Sequence, residues 1–202
     1  MTAENYNLKI EKYKVLFQYV FICLISLLFG IFFANIIGMG SLLNFEEQIR
    51  AHFFSTISED EPFANMIISV INYSLNDIIC IISAFLFTFS IFNYLASDII
   101  LVYEGLNIGF SCTVLYKCCS IFNMISDLYF VYYTLFKLVL LIFIIAFLYG
   151  LSVYSFKLKS YTSTLRVRLN LKLLLFLLLF TISGCGFVFL LNSIYYVVIV
   201  IF

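Results

Sequence analysis

The sequence predicts an all-α integral membrane protein: five transmembrane helices plus an extracytoplasmic amphipathic helix. Three observations predict it. First, 64% of the 202 residues are hydrophobic and 11% are charged, against about 45–50% and about 25% in a soluble domain. Too few polar residues remain to cover a surface in water. Second, the apolar residues fall in long, nearly uninterrupted runs. Third, those runs lack period-two alternation: every position from Leu173 to Phe180 is apolar. A membrane β-barrel needs alternating lipid-facing and lumen-facing residues. A helix satisfies its own backbone hydrogen bonds inside lipid and tolerates a uniform run. With one Pro and 8 Gly, residues 1–202 are expected to form a single membrane domain.

About 20 apolar residues cross the hydrocarbon core as a helix. Five segments qualify: about 15–37, 70–92, 94–116, 130–156 and 171–191. The first holds only Gln18, Ser26 and Asn35 as clearly polar members. It follows a basic stretch, yet exceeds the about 7–15 residues of a signal-peptide core, so it is expected to stay as an anchor. The third contains Asp98, Glu104 and Asn107, and the fourth, the longest, contains Lys137. The last apolar run continues to Phe202. It is expected to cross as far as Leu191, with Asn192 and Ser193 at the interface and a short apolar tail beyond.

Basic residues set the orientation. Lys9, Lys12 and Lys14 precede the first span, and Lys157, Lys159, Arg166, Arg168 and Lys172 lie between the fourth and fifth. Only Arg50 and Lys117 fall in the loops of the other side. The positive-inside rule therefore places the N-terminus in the cytoplasm and the C-terminus outside. Tyr13, Tyr19, Tyr116, Tyr129, Tyr132, Tyr133, Tyr154, Tyr195 and Tyr196 cluster at the expected interfaces, where amphipathic rings sit well among headgroups.

Composition also excludes functions. Formal net charge is zero, which argues against a basic nucleic-acid-binding face. His52 is the single histidine, so no two-histidine metal motif exists, and no Ser stands in a G-x-S-x-G context to make it a triad base. The six cysteines show no C-x-x-C spacing. No metal, no cofactor, no disulfide framework and no enzymatic activity are expected.

Two regions remain as candidate sites. In the polar segment of about 41–69, Leu42, Leu43, Phe45, Ile49, Phe53 and Phe54 recur near helical spacing among Glu46, Glu47, Gln48 and Arg50. This describes an amphipathic surface helix. Interfacial helices that seek anionic lipid are rich in Lys and Arg, and this one is acidic, so a protein partner docking on Phe45, Ile49, Phe53 and Phe54 is expected. Glu59, Asp60 and Glu61 then precede Pro62, as a loop tip or a docking point. The second region lies at membrane depth. Charges there usually face a partner or a water-filled path. Glu104 lies near the middle of the third span and Lys137 in the outer half of the fourth, as a structural pair or part of an ion pathway. Asp77 and Asp98 are expected to reach water near span ends. Gly105 and Gly109 form a G-x-x-x-G face for close helix packing, with Gly105 alternatively marking a break. Asn72 and Asn76 share one face of the second span and are placed to bond a neighbouring helix.

The order of these features resembles the stage II sporulation protein M family of small five-span membrane proteins. A short basic N-terminus leads into L-L-F-G-I-F-F-A-N (Leu27 to Asn35). An outer segment L-N-F-E-E-Q-I-R-A-H-F-F (Leu43 to Phe54) follows, then the paired Asn72 and Asn76, then E-G-L-N-I-G-F (Glu104 to Phe110). The position before Gly105 is acidic, a departure from the family's Lys or Asn. Motifs carry the resemblance over roughly the first 115 residues, and span number and size carry it over the rest. The resemblance implies a non-enzymatic anchor in a bacterial cell membrane. Such an anchor gathers two peptidoglycan-degrading enzymes, the stage II sporulation D and P proteins, at the septum for engulfment. More distant members look like accessory subunits of ABC-type transport systems, so a transport subunit with a polar site around Glu104 is the alternative. The expected partners are thus the lipid bilayer and extracytoplasmic wall hydrolases, with no nucleic acid. The sequence leaves room for a homo-oligomer.

Overall fold

The computed structural model describes residues 3–37, 62–90, 92–122, 127–162 and 171–201. They form five α-helices in chain order: α1 (Ala3–Ile36), α2 (Pro62–Thr88), α3 (Asn93–Phe122), α4 (Asp127–Thr162) and α5 (Leu171–Ile201). Each contains a stretch long and apolar enough to cross a membrane: Tyr13–Ile36, Val70–Thr88, Asn93–Lys117, Phe130–Ser155 and Leu174–Val197. The expected docking residues Phe45, Ile49, Phe53 and Phe54, together with His52 and the acidic triplet, lie outside the described residues.

The bundle is inverted relative to a water-soluble protein. Large apolar side chains such as Phe17, Leu28, Leu86, Ile142 and Leu190 are exposed on its surface, while Ser26, Ser74, Asp77, Ser97, Glu104, Ser152 and Asn192 are buried. Hydrocarbon solvates the first set and cannot hydrogen-bond the second.

Local chemistry explains the helix ends. Pro62 opens α2, where its missing N–H costs nothing because that group would be unpaired anyway. Thr88 closes α2, and its carbonyl accepts a bond from Ser155 Oγ at 3.2 Å. This satisfies one of the carbonyls a helix leaves unpaired at its end. Ser90 Oγ then accepts from Phe92 N at 3.1 Å, tightening the short turn into α3. At the other side of the bundle, Lys117 of α3 donates to the carbonyl of Ala34 at 2.6 Å. An ammonium at the C-terminus of α1 also suits the helix dipole.

α4 packs against each of the other four helices, and α1 and α3 make the most extensive helix pair. Their closeness depends on glycine. A Cβ on Gly30 would collide with the Leu106 carbonyl and lie 2.9 Å from Phe110 N. One on Gly109 would collide with the Leu27 carbonyl, and one on Gly105 with Ser26 Oγ. Such small-residue faces let helices gain van der Waals contact where no hydrophobic force separates them from lipid. α3 runs through Gly105 without a break. The α4–α5 seam is built differently, from aromatic rings. Phe147 and Phe180 stack at 4.9 Å with 2° between planes, and Phe143 meets Phe187 at 4.4 Å. The buried core between the helices includes Ile81, Leu101, Leu140, Ile144, Leu148 and Leu177.

Three expectations change here. α5 does not stop near Leu191: it continues to Ile201, and Asn192 is buried with its amide bonded inside the bundle. The second span ends at Thr88, several residues earlier than the hydropathy suggested. The tyrosine belt is only partial. Tyr13 and Tyr116 are exposed, but Tyr19, Tyr133, Tyr195 and Tyr196 are buried. Tyr19 hydroxyl, for example, shares a 2.5 Å hydrogen bond with Ser152 of α4, so the interior supplies what the headgroups were expected to supply.

The glycine interface gives a direct test. Gly30→Leu is expected to destabilise the bundle by at least about 1–3 kcal/mol, the usual cost of overpacking. A lowered thermal unfolding midpoint in mild detergent would show it. Gly186→Ala, where nothing lies within 4 Å of the new methyl, should leave that midpoint unchanged or slightly raised.

Candidate intramembrane polar site

Polar side chains repeat at helical spacing on neighbouring helices. α2 carries Asn72, Asn76 and Asp77. α3 carries Tyr103, Asn107 and Ser111, each four residues from the next. α4 carries Tyr133 and Lys137, again four apart, and α5 carries Asn192 and Tyr195. Residues four apart share one helix face. These stripes converge on a cavity of about 240 Å³, which Phe136 also lines. That is roomy enough for several waters.

The cavity has a rim and a floor. Asn72 and Tyr103 are exposed and form the rim at the α2–α3 seam, whereas Asp77, Tyr133, Phe136, Asn192 and Tyr195 are buried. It lies in the half of the bundle away from the α2–α3 turn. Tyr103 hydroxyl donates to Asn76 Oδ1 at 3.1 Å, and Ser111 hydroxyl donates to Asn107 Oδ1 at 3.4 Å. Asn192 Nδ2 donates to Asp77 Oδ2 at 3.4 Å and to the Val188 carbonyl at 3.1 Å. Tyr195 is fixed among rings, with Phe136 at 4.5 Å and Tyr132 stacked at 5.8 Å.

Both signs of charge border this space. Asp77 is only 2% exposed. Lys137 Nζ lies 5.9 Å from the centre of the Tyr133 ring and 6.0 Å from that of Phe136, at the outer range of a cation–π contact. Both residues line the cavity, yet among the described residues no ion pair joins the two. A carboxylate, an ammonium, amides and hydroxyls around one cavity can hold water or a small polar solute.

The expected site residues divide. Asn72, Asn76, Asn107 and Lys137 line the cavity. Gly105 and Gly109 belong to the α1–α3 interface instead. Glu104 is 1% exposed and does not line the cavity; its Oε1 has no hydrogen-bond partner. Among the described residues no ion pair joins it to Lys137, so the expected pair is not formed by contact. Asp77, expected to reach water, is instead buried: it lines the cavity together with Lys137 and accepts from Asn192 of α5. Asp98 is half-buried and accepts from Gln18 Nε2 at 3.1 Å. Tyr103, Ser111, Tyr133, Asn192 and Tyr195 were not singled out as site residues. The signal for the α3 members was the four-residue spacing through Asn107. Cys23, Cys80, Cys112 and Cys185 carry free thiols, and no group of three His, Cys, Asp or Glu side chains gathers among the described residues.

Fold and site together define a class: a small membrane protein of five transmembrane helices with a polar cavity in one half of its bundle. No family model matches the chain, and no curated protein or solved structure matches it significantly.

Replacing Asn192 tests how the floor is held. Asn192→Leu removes the amide from a buried carboxyl and is expected to cost about 1–3 kcal/mol, the usual penalty for a buried polar group left unpaired. Adding Asp77→Asn should recover part of that loss. A double-mutant cycle on unfolding midpoints in detergent measures the coupling; simple additivity would mean that the two side chains do not depend on each other.

Proposed function

We propose that the chain is a non-enzymatic membrane anchor resembling stage II sporulation protein M. It recruits extracytoplasmic peptidoglycan-degrading partners, similar to the stage II sporulation D and P proteins, for septal wall remodelling and engulfment. One observation carries this reading. The two helical stretches on which the resemblance rests, Leu27 to Asn35 and Glu104 to Phe110, meet as the two faces of a single interface. Gly30 sits on Leu106 and Phe110, and Gly109 sits on Leu27 and Ile31. A close helix pair of this kind suits a platform whose main requirement is shape.

The platform also flanks the docking segment. α1 ends at Ile36 and α2 begins at Pro62, so the segment carrying Phe45, Ile49, Phe53 and Phe54 is tethered at both ends. Lys117 fastens the α1 end to α3. The basic residues favour placing this segment outside the cell. Holding two enzymes on one anchor raises their effective concentration without any chemistry by the anchor.

Co-purification from native bacterial membranes in mild detergent, followed by mass spectrometry, is expected to recover extracytoplasmic wall hydrolases. Aromatic anchors at interface centres are often worth about 2 kcal/mol or more. The double variant Phe53→Asp, Phe54→Asp should therefore reduce recovery at least about tenfold while the bundle stays folded. Undiminished recovery by a folded variant would remove these residues from the docking surface.

A second reading is favoured by the cavity: a membrane subunit of a transport system, with the polar site centred on Asp77 and Lys137. Glu104, the centre expected from sequence, lies off the cavity. Proteoliposomes offered a panel of ions and small zwitterions should then show flux for the wild type. Asp77→Asn should abolish it, and Glu104→Gln should retain most of it. Wild-type flux in Asp77→Asn would exclude the cavity from the path.

A further inference from the structure

We infer that the cavity between α2, α3, α4 and α5 is a binding site for a small zwitterion: one ammonium joined through a short linker to one carboxylate or phosphodiester. The argument starts from the two charges. Asp77 and Lys137 border the same space, but no ion pair closes between them. Each is held by its own neighbours, Asp77 by the Asn192 amide and Lys137 beside the Tyr133 and Phe136 rings. A pair with a purely structural role gains most by contact, because separated charges in a low-dielectric interior forgo their attraction while keeping the cost of desolvation. The gap is polar and of ligand size, and both charged residues line it.

Charge balance selects the ligand. A lone cation entering to meet Asp77 also meets Lys137, and a lone anion meets the reverse. Specificity of this kind comes from the repulsive partner as much as the attractive one. A zwitterion satisfies both, its ammonium at Asp77 and its anionic group at Lys137. Asn72, Asn76 and Asn107 supply amides to the remaining polar atoms. Size agrees: about 240 Å³ falls below the about 300–1,000 Å³ of pockets for drug-sized molecules. It suits an amino acid or an aminoalkyl phosphodiester.

Two sources share this chemistry, a free amino acid and the headgroup of an aminophospholipid reaching in past Asn72 and Tyr103. The inference deepens the second reading above by naming a ligand class, and it requires binding only.

The test uses the full chain purified in a non-ionic maltoside detergent, titrated calorimetrically with β-alanine and with glycerophosphoethanolamine. Propionate and propylamine serve as singly charged controls. At least one zwitterion is expected to saturate, at least tenfold tighter than either control. Asp77→Asn and Lys137→Met, each checked as monodisperse, should each weaken it tenfold or more. Binding of β-alanine alone identifies a free zwitterion. Binding of glycerophosphoethanolamine alone identifies a headgroup, and phosphatidylethanolamine should then co-purify in native mass spectra. Saturation by neither zwitterion overturns the inference, as do controls that bind equally well or folded variants that bind like the wild type. If the variants do not fold, the comparison of zwitterions with controls on the wild type decides alone. Flux without zwitterion binding would overturn this inference and leave the second reading standing; binding without flux would do the opposite.

Discussion

Hydrocarbon offers a polar side chain no hydrogen-bond partner, and this constraint organises the bundle. Polar groups that can satisfy themselves within their own helix need nothing more. Ser74 donates to the Val70 carbonyl at 2.7 Å, Thr113 to Gly109 at 2.8 Å, Thr134 to Phe130 at 2.8 Å and Thr181 to Leu177 at 2.9 Å. Hydroxyls bond back four residues in this way at little cost. Amides, carboxylates and the lysine ammonium have more hydrogen-bonding capacity than one helix can meet, so they collect between helices. In one half Gln18 links to Asp98, and the Tyr19 and Ser152 hydroxyls also bond between helices. In the other half they collect around a cavity, because too many gather for direct pairing.

The helix seams differ in kind as a result. α1 and α3 meet dry, backbone against backbone, with small residues between them. α4 and α5 meet through aromatic rings, one pair stacked and one tilted. α2 and α3 meet less extensively than α1 and α3 do, and polar side chains occupy their seam. In a membrane the first two gain stability from van der Waals contact. The third gains from hydrogen bonds, which need room for geometry and, where groups outnumber partners, for water.

The all-α class and the five spans were legible because long apolar runs are a one-dimensional signal. What pairs with what was not. Asn192 shows the difference. An isolated amide near the end of an apolar run fits an interface position or an interior contact equally well. Only Asp77, on a helix more than a hundred residues earlier, decides between them. The buried tyrosines follow the same logic, since a hydroxyl that finds Ser152 inside has no need of headgroups. Gly105 and Gly109 were legible as a packing face, but that Gly30 of α1 seats on Leu106 and Phe110 of α3 was not. Glu104 lies off the cavity and Asp77 lines it for a rotational reason.

That rotation links the resemblance-bearing motif to the cavity. Successive residues in a helix turn by about 100°, so residues two apart point to nearly opposite sides. Gly105 and Gly109 face α1. Tyr103, Asn107 and Ser111 are each two residues from one of those glycines and therefore face away from α1, toward the seam with α2. Glu104 falls between the two directions and enters the packed core near Cys80. Seating the glycines against α1 thus fixes the aim of the polar stripe on the same helix. The close packing and the polar cavity are two consequences of one helical register: the side of α3 that packs on α1 sets the aim of the side that lines the cavity.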